Sequence, residues 1–144
     1  MIKEILIKEV KIAFSKHIKD YSLVLEETGL EEYSVFLVSS SYILGIHFDH
    51  YGMDYTYTDF NDKSRKVYNI FKFLSEKRVS KLVFYESDKS DKPYTESIPF
   101  DLLTFSDHLK NAGKDILEGK KTWLKQYIWP TGTMSEKLFR QLCP

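Results

Sequence analysis

Near residue 22 the hydrophobic period of this chain changes from helical to alternating, and that change most limits what it can fold into. From residue 2 to 18 apolar side chains recur at helical spacing. Ile2, Ile5, Leu6, Val10, Ala13, Phe14 and Ile18 fall near one stripe, with Lys3, Glu4, Lys8, Lys11 and Lys19 mostly elsewhere. His17 sits at the edge of the stripe, as a partly packed histidine would. From residue 22 to 60 the period is two. Ser22–Leu25 reads as a short strand closed by Glu26-Glu27-Thr28-Gly29, followed by strands over Ser34–Ser39, Tyr42–His50 and Asp54–Phe60.

The last two strands predict a register. Gly52-Met53 places glycine at the first central position of a two-residue turn, which pairs Tyr51 with Asp54, His50 with Tyr55, Asp49 with Thr56, Phe48 with Tyr57 and His47 with Thr58. One face then carries Leu44, Ile46, Phe48, Tyr55 and Tyr57. The other carries Gly45, His47, Asp49, Tyr51, Asp54, Thr56 and Thr58. Apolar and polar residues separate, whereas a slip of one residue would mix them.

Beyond Asn61-Asp62-Lys63-Ser64 the spacing of Val67, Ile70, Phe71 and Leu74 predicts a helix from Arg65 to Arg78, then a strand over Lys81–Tyr85 and a polar loop over Ser87–Lys92. From Pro99 onward the chain reads as helical. Leu102, Phe105, Leu109, Ala112 and Ile116 share a face, and Gly119 stops the helix. Trp123, Leu124, Tyr127 and Ile128 mark a short helix ended by Pro130. Thr133-Met134-Ser135-Glu136 has capping-box spacing and starts a last helix carrying Leu138, Phe139 and Leu142. The expected fold is one α+β domain over residues 1–144. It has an N-terminal helix, an antiparallel β-meander and C-terminal helices packed on one sheet face. Leu44, Ile46, Phe48 and Tyr57 are expected to pack under Phe14, Ile70 and Phe71.

Charge is segregated along this framework. Asp20, Glu26, Glu27, Glu31, Glu32, Asp49, Asp54, Asp59 and Asp62 occupy a stretch without Lys or Arg, although the formal net charge is zero. An acidic, tyrosine-lined surface attracts a basic partner and offers aromatic contact energy. The one cysteine, Cys143, forms no internal disulfide, which favours a reducing compartment. The charged N-terminus does not read as a signal peptide, and no apolar run nears the about 20 residues needed to span a bilayer. The expected location is therefore cytoplasmic.

Motifs for chemistry are sparse. His47-Phe48-Asp49-His50 puts two metal-capable groups on one face, one short of a zinc site even before a water ligand, so neither metal nor cofactor is assigned. The six glycines are scattered singly, without a phosphate loop, and no histidine is linked by spacing to a nucleophile. No catalytic residue is assigned. Lys110, Lys114, Lys120, Lys121, Lys125, Lys137 and Arg140 interleave with Trp123, Tyr127 and Trp129, a texture that can bind single-stranded nucleic acid. Solvated helix faces over a core explain it as well, and nucleic acid is not the expected partner.

An amphipathic N-terminal helix followed by the strands of Val35–Asp49 and then by helices resembles small bacterial immunity proteins, the partners of secreted toxins. The resemblance spans about the first 75 residues. It implies an inhibitor, acidic on its binding face, that covers the active site of a basic toxin such as a nuclease. The residues expected to bind the partner are Glu26, Glu27, Glu31, Glu32, His47, Asp49, Tyr51 and Asp54. Two other roles compete. One is a small-molecule-binding or catalytic domain with a pocket lined by Tyr55, Tyr57, Trp123 and Tyr127. The other is a subunit that dimerises through an aromatic patch.

Overall fold

Six antiparallel strands form one sheet whose spatial order is their chain order, β1-β2-β3-β4-β5-β6. The computed structural model describes residues 2–49, 52–79 and 94–143. The strands are β1 Val24–Glu26, β2 Ser34–Val38, β3 Tyr42–Asp49, β4 Gly52–Asp59, β5 Lys66–Asn69 and β6 Gly132–Thr133. Among the described residues the α-helices are α1 Ile2–Ala13, α2 Ser15–Asp20, α3 Ile70–Phe73, which a π-helical turn Leu74–Arg78 continues, α4 Ile98–Ala112, α5 Lys114–Leu117 and α6 Glu136–Leu142, with 3-10 turns at Tyr94–Ser97 and Thr122–Gln126. The expected α+β architecture is present, and Tyr51 and the segment Lys81–Lys92 lie outside the described residues.

The N-terminal helix is broken at Phe14, between α1 and α2 (φ −108°, ψ 11°). There the Phe14 ring is fully buried, 5.9 Å from Phe105. The Ser106 hydroxyl donates to the Ala13 carbonyl at 2.9 Å, and His17 Nε2 donates to the Ser106 carbonyl at 3.0 Å, which ties the break to α4. His17 is buried rather than partly packed. These helices cover the sheet face bearing Val35, Leu37, Tyr42, Leu44, Ile46, Tyr55 and Tyr57. Ile70 is buried in the same cluster, while Phe48 and Phe71 pack at its margin.

The β3–β4 register corrects the expected one. Asp49 pairs with Gly52, Phe48 with Met53, His47 with Asp54, Ile46 with Tyr55 and Leu44 with Tyr57. The link therefore lies at positions 50 and 51 instead of Gly52-Met53. Gly52 still uses backbone open mainly to glycine, with φ 123°, as the first residue of β4. Among the described residues each face keeps its expected members, because the pairing shifts by an even number of positions and so preserves the alternation.

Four further expectations are corrected. The segment before α3 is a strand, not a helix: Val67 and Tyr68 point to opposite sides, and Asn69 caps α3 by accepting from the Lys72 N–H at 2.9 Å. The C-terminal helices also do not all share one face. Helix α6 places Leu138 and Leu142 on the other side, over Phe36, Val38 and Ile43, with Met134 beside them. Its N-cap is Ser135, whose Oγ accepts from the Leu138 N–H at 3.2 Å. Thr133 belongs to β6 and pairs with Lys66. Helix α4 ends at Gly113, and Gly119, with φ 88°, follows the separate turn α5.

Candidate functional site: an acidic sheet end

The surface singled out by charge lies where the β1–β2 loop meets the β3–β4 hairpin. One cross-strand row runs Ser34, His47, Asp54, and the next runs Phe36, Gly45, Thr56, Asn69. Helix α6 covers Phe36, Val38 and Ile43 on this face, and the hairpin end carries the polar side chains of Ser34, His47, Asp54 and Thr56.

His47 lies across Gly45. Its Nδ1 is 2.6 Å from Ser34 Oγ and its Nε2 is 2.9 Å from Thr56 Oγ1, while the Phe36 ring meets it edge-on at 5.8 Å. A Cβ on Gly45 would sit 2.3 Å from Thr56 Oγ1 and 2.5 Å from His47 Nε2. Only glycine leaves room for the ring. Burial pushes the His47 pKa below its ordinary value, and the carboxylates of Asp54, Glu31 and Asp49 pull it the other way. His47 is thus a hydrogen-bonded bridge across three strands and gives the surface its rigidity more than its charge.

The acidic loop is held at both sides. The Lys3 ammonium, from α1, donates to the carbonyls of Thr28 at 3.2 Å, Glu31 at 2.5 Å and Ser34 at 2.8 Å. All three of its donors are used. The Thr28 hydroxyl donates to Gln141 Oε1 of α6 and accepts from the Leu30 N–H. The Phe48 N–H donates to the Tyr33 carbonyl at 2.9 Å, extending the β2–β3 ladder by one residue.

Glu26, Glu27, Glu32, Asp49 and Asp54 are exposed, and Glu31 is half-buried. Among the described residues no cation pairs with the side chain of Glu26, Glu27, Glu31, Glu32 or Asp54. Asp54 accepts from the Tyr55 N–H at 3.0 Å and from Asn69 Nδ2 at 3.4 Å. The rest of the acidic stretch is engaged elsewhere: Asp59 pairs with Lys121 at 2.6 Å, and Asp62 accepts from the Ser64 hydroxyl at 2.5 Å. Of the residues expected to bind, Glu31, His47, Asp49 and Asp54 come together, Glu32 lies beside Tyr33 and Lys3, Glu26 and Glu27 lie at the far strand, and Tyr51 is outside the described residues.

Ser34, Thr56, Lys3 and Tyr33 were missed by sequence reasoning. Gly45 inside a strand was the available signal, since such a glycine marks a close approach. Tyr33, at 48% exposure, has only an exposed aromatic's ordinary signature.

The region expected to hold a small-molecule pocket is filled with rings. Tyr57 meets Trp123 edge-on at 4.9 Å, Trp123 meets Tyr127 at 6.3 Å, and Tyr55 stacks on Phe105 at 3.9 Å. Trp123 is buried and Trp129 half-buried, so the aromatics among the basic residues point largely inward. Among the described residues no group of three His, Cys, Asp or Glu side chains converges on a metal position, and no helix is long and apolar enough to cross a membrane. Comparison with models of protein families, with curated proteins and with solved structures finds no match.

Proposed function

We propose that the protein is a stoichiometric inhibitor of the immunity type, which covers the active site of a basic toxin, such as a nuclease, with the acidic end of its sheet. It acts in the cytoplasm without a cofactor. The observation that carries this reading is a set of carboxylates without cationic partners among the described residues, on a loop clamped from both helical layers. Charge left unpaired costs stability through self-repulsion, and it speeds encounter with a surface of opposite sign. A loop already ordered by Lys3 and Gln141 loses little further entropy on binding.

Co-purification from the source organism identifies the partner, and association kinetics test the surface. Replacing Glu26, Glu27, Glu31 and Glu32 together by glutamine slows association about tenfold or more at low salt and flattens its salt dependence, with the fold retained. A complex formed through the basic C-terminal helices, with an unchanged association rate for the glutamine variant, rejects the reading.

A further inference from the structure

The acidic loop and the hairpin leave a hollow of about 270 Å³ lined by Ile2, Tyr33, Phe48 and Asp49. A second, of about 220 Å³, shares Ile2 and Tyr33 with the first and has Lys3 and Glu32 in its wall. Ligand pockets usually measure roughly 300–1,000 Å³, so each has room for about one side chain. The walls of the first are apolar and aromatic, with a carboxylate at the rim. That is the chemistry of a long side chain whose stem is hydrocarbon and whose tip is a cation.

We propose that the hollow between Tyr33 and Phe48 receives an arginine side chain of the basic partner, with its stem against Ile2 and Phe48 and its guanidinium between the Tyr33 ring and Asp49. The proposal rests on the reading of the protein as a binder of a basic partner, and it locates the anchor. Arginine is favoured over lysine because its planar, weakly hydrated cation stacks on an aromatic face. The neighbouring positive charge, Lys3, has its three N–H donors taken up by carbonyls. Glu31, Glu32 and Asp49 keep the balance of this end acidic. The frame is preformed: the Tyr33 carbonyl is held by the Phe48 N–H, and the Lys3 bonds to Glu31 and Ser34 flank it on both sides. A tyrosine in such a position is a frequent anchor of protein interfaces.

The test uses the isolated protein and N-acetyl-arginine amide, followed by amide chemical shifts. The expected result is saturable binding in the millimolar range, with shifts centred on Tyr33, Phe48 and Asp49. Tyr33→Ala abolishes it, Asp49→Asn weakens it several-fold, and Tyr33→Phe, which keeps the ring, retains it. Unchanged shifts elsewhere in each variant establish that the fold is intact. Equal binding of N-acetyl-norleucine amide or N-acetyl-lysine amide, or weak shifts spread over every acidic surface without saturation, overturns the assignment. The probe needs no partner protein, so the two readings fail separately. Arginine amide bound with no basic partner recovered counts against the inhibitor alone. A recovered partner whose dissociation is unaffected by Tyr33→Ala counts against the hollow alone.

Discussion

Gly45 and His47 form a unit that neither residue explains alone. The imidazole lies in the space a side chain at Gly45 would fill, so Gly45→Ala must displace Thr56 Oγ1 and the ring together. The expected cost is about 1–3 kcal/mol, read from urea denaturation, and it shrinks in a His47→Ala background where half the clash is gone. An equal cost in both backgrounds would mean that the ring does not occupy that space. The same unit sets a pH response. Burial holds the folded His47 pKa below the ordinary value of 6.5 that the unfolded chain keeps, so the unfolded chain takes up a proton first as pH falls. Stability from neutral His47 is complete above the unfolded value and is lost as pH falls through the folded one. His108 is depressed by burial as well, so His47→Gln should reduce, not remove, the loss of stability as pH falls through the ordinary value of 6.5 and below. An unchanged slope rejects the assignment. His47 was recognisable in the sequence as a polar-face residue. Its hydroxyl partners were not, because they come from two other strands whose register had to be known first.

At the scale of elements, periodicity located the strands better than it paired them. Pairing Asp49 with Gly52, where Tyr51 with Asp54 was expected, leaves each described side chain of β3 and β4 on the same face, so face sorting excludes a slip of one residue but not a shift that keeps parity. The segment Lys66–Asn69 was misread for a related reason. Val67 joins Ile70 and Leu74 at helical spacing, yet it packs in the second cluster while they pack in the first. Strand pairing with β4 and β6 outweighs the local pattern. The last helix was placed correctly with the wrong cap. Ser135→Ala should therefore cost about 1 kcal/mol and Thr133→Ala only a few tenths, both read by thermal or urea unfolding. Leu138→Ala should cost about 2–5 kcal/mol, because it uncovers Phe36, Val38 and Ile43. Reversed costs at positions 133 and 135 would restore the capping box; a loss below about 1 kcal/mol at Leu138 would remove α6 from the core.

Across the whole molecule, the sequence's acidic stretch contributes Glu31, Asp49 and Asp54 to one end of the sheet, and the zero net charge hides this. A uniformly neutral surface would associate with partners at rates nearly indifferent to salt. A polarised one should lose its advantage as the Debye length falls to about 10 Å at 0.1 M salt. The charge segregation was plain in the sequence; the hollow beside Tyr33 was not, since it arises where α1, the β1–β2 loop and the end of β3 meet. The meander has a further consequence for how the chain acquires its shape. Neighbouring strands from β1 to β5 join in the order they are synthesised, through short links. Phe36, Val38 and Ile43, by contrast, wait for Leu138 and Leu142 at the opposite end of the sequence. On the ribosome the sheet can therefore assemble early with one greasy side bare, and chaperone capture or self-association competes with completion until the final helix emerges.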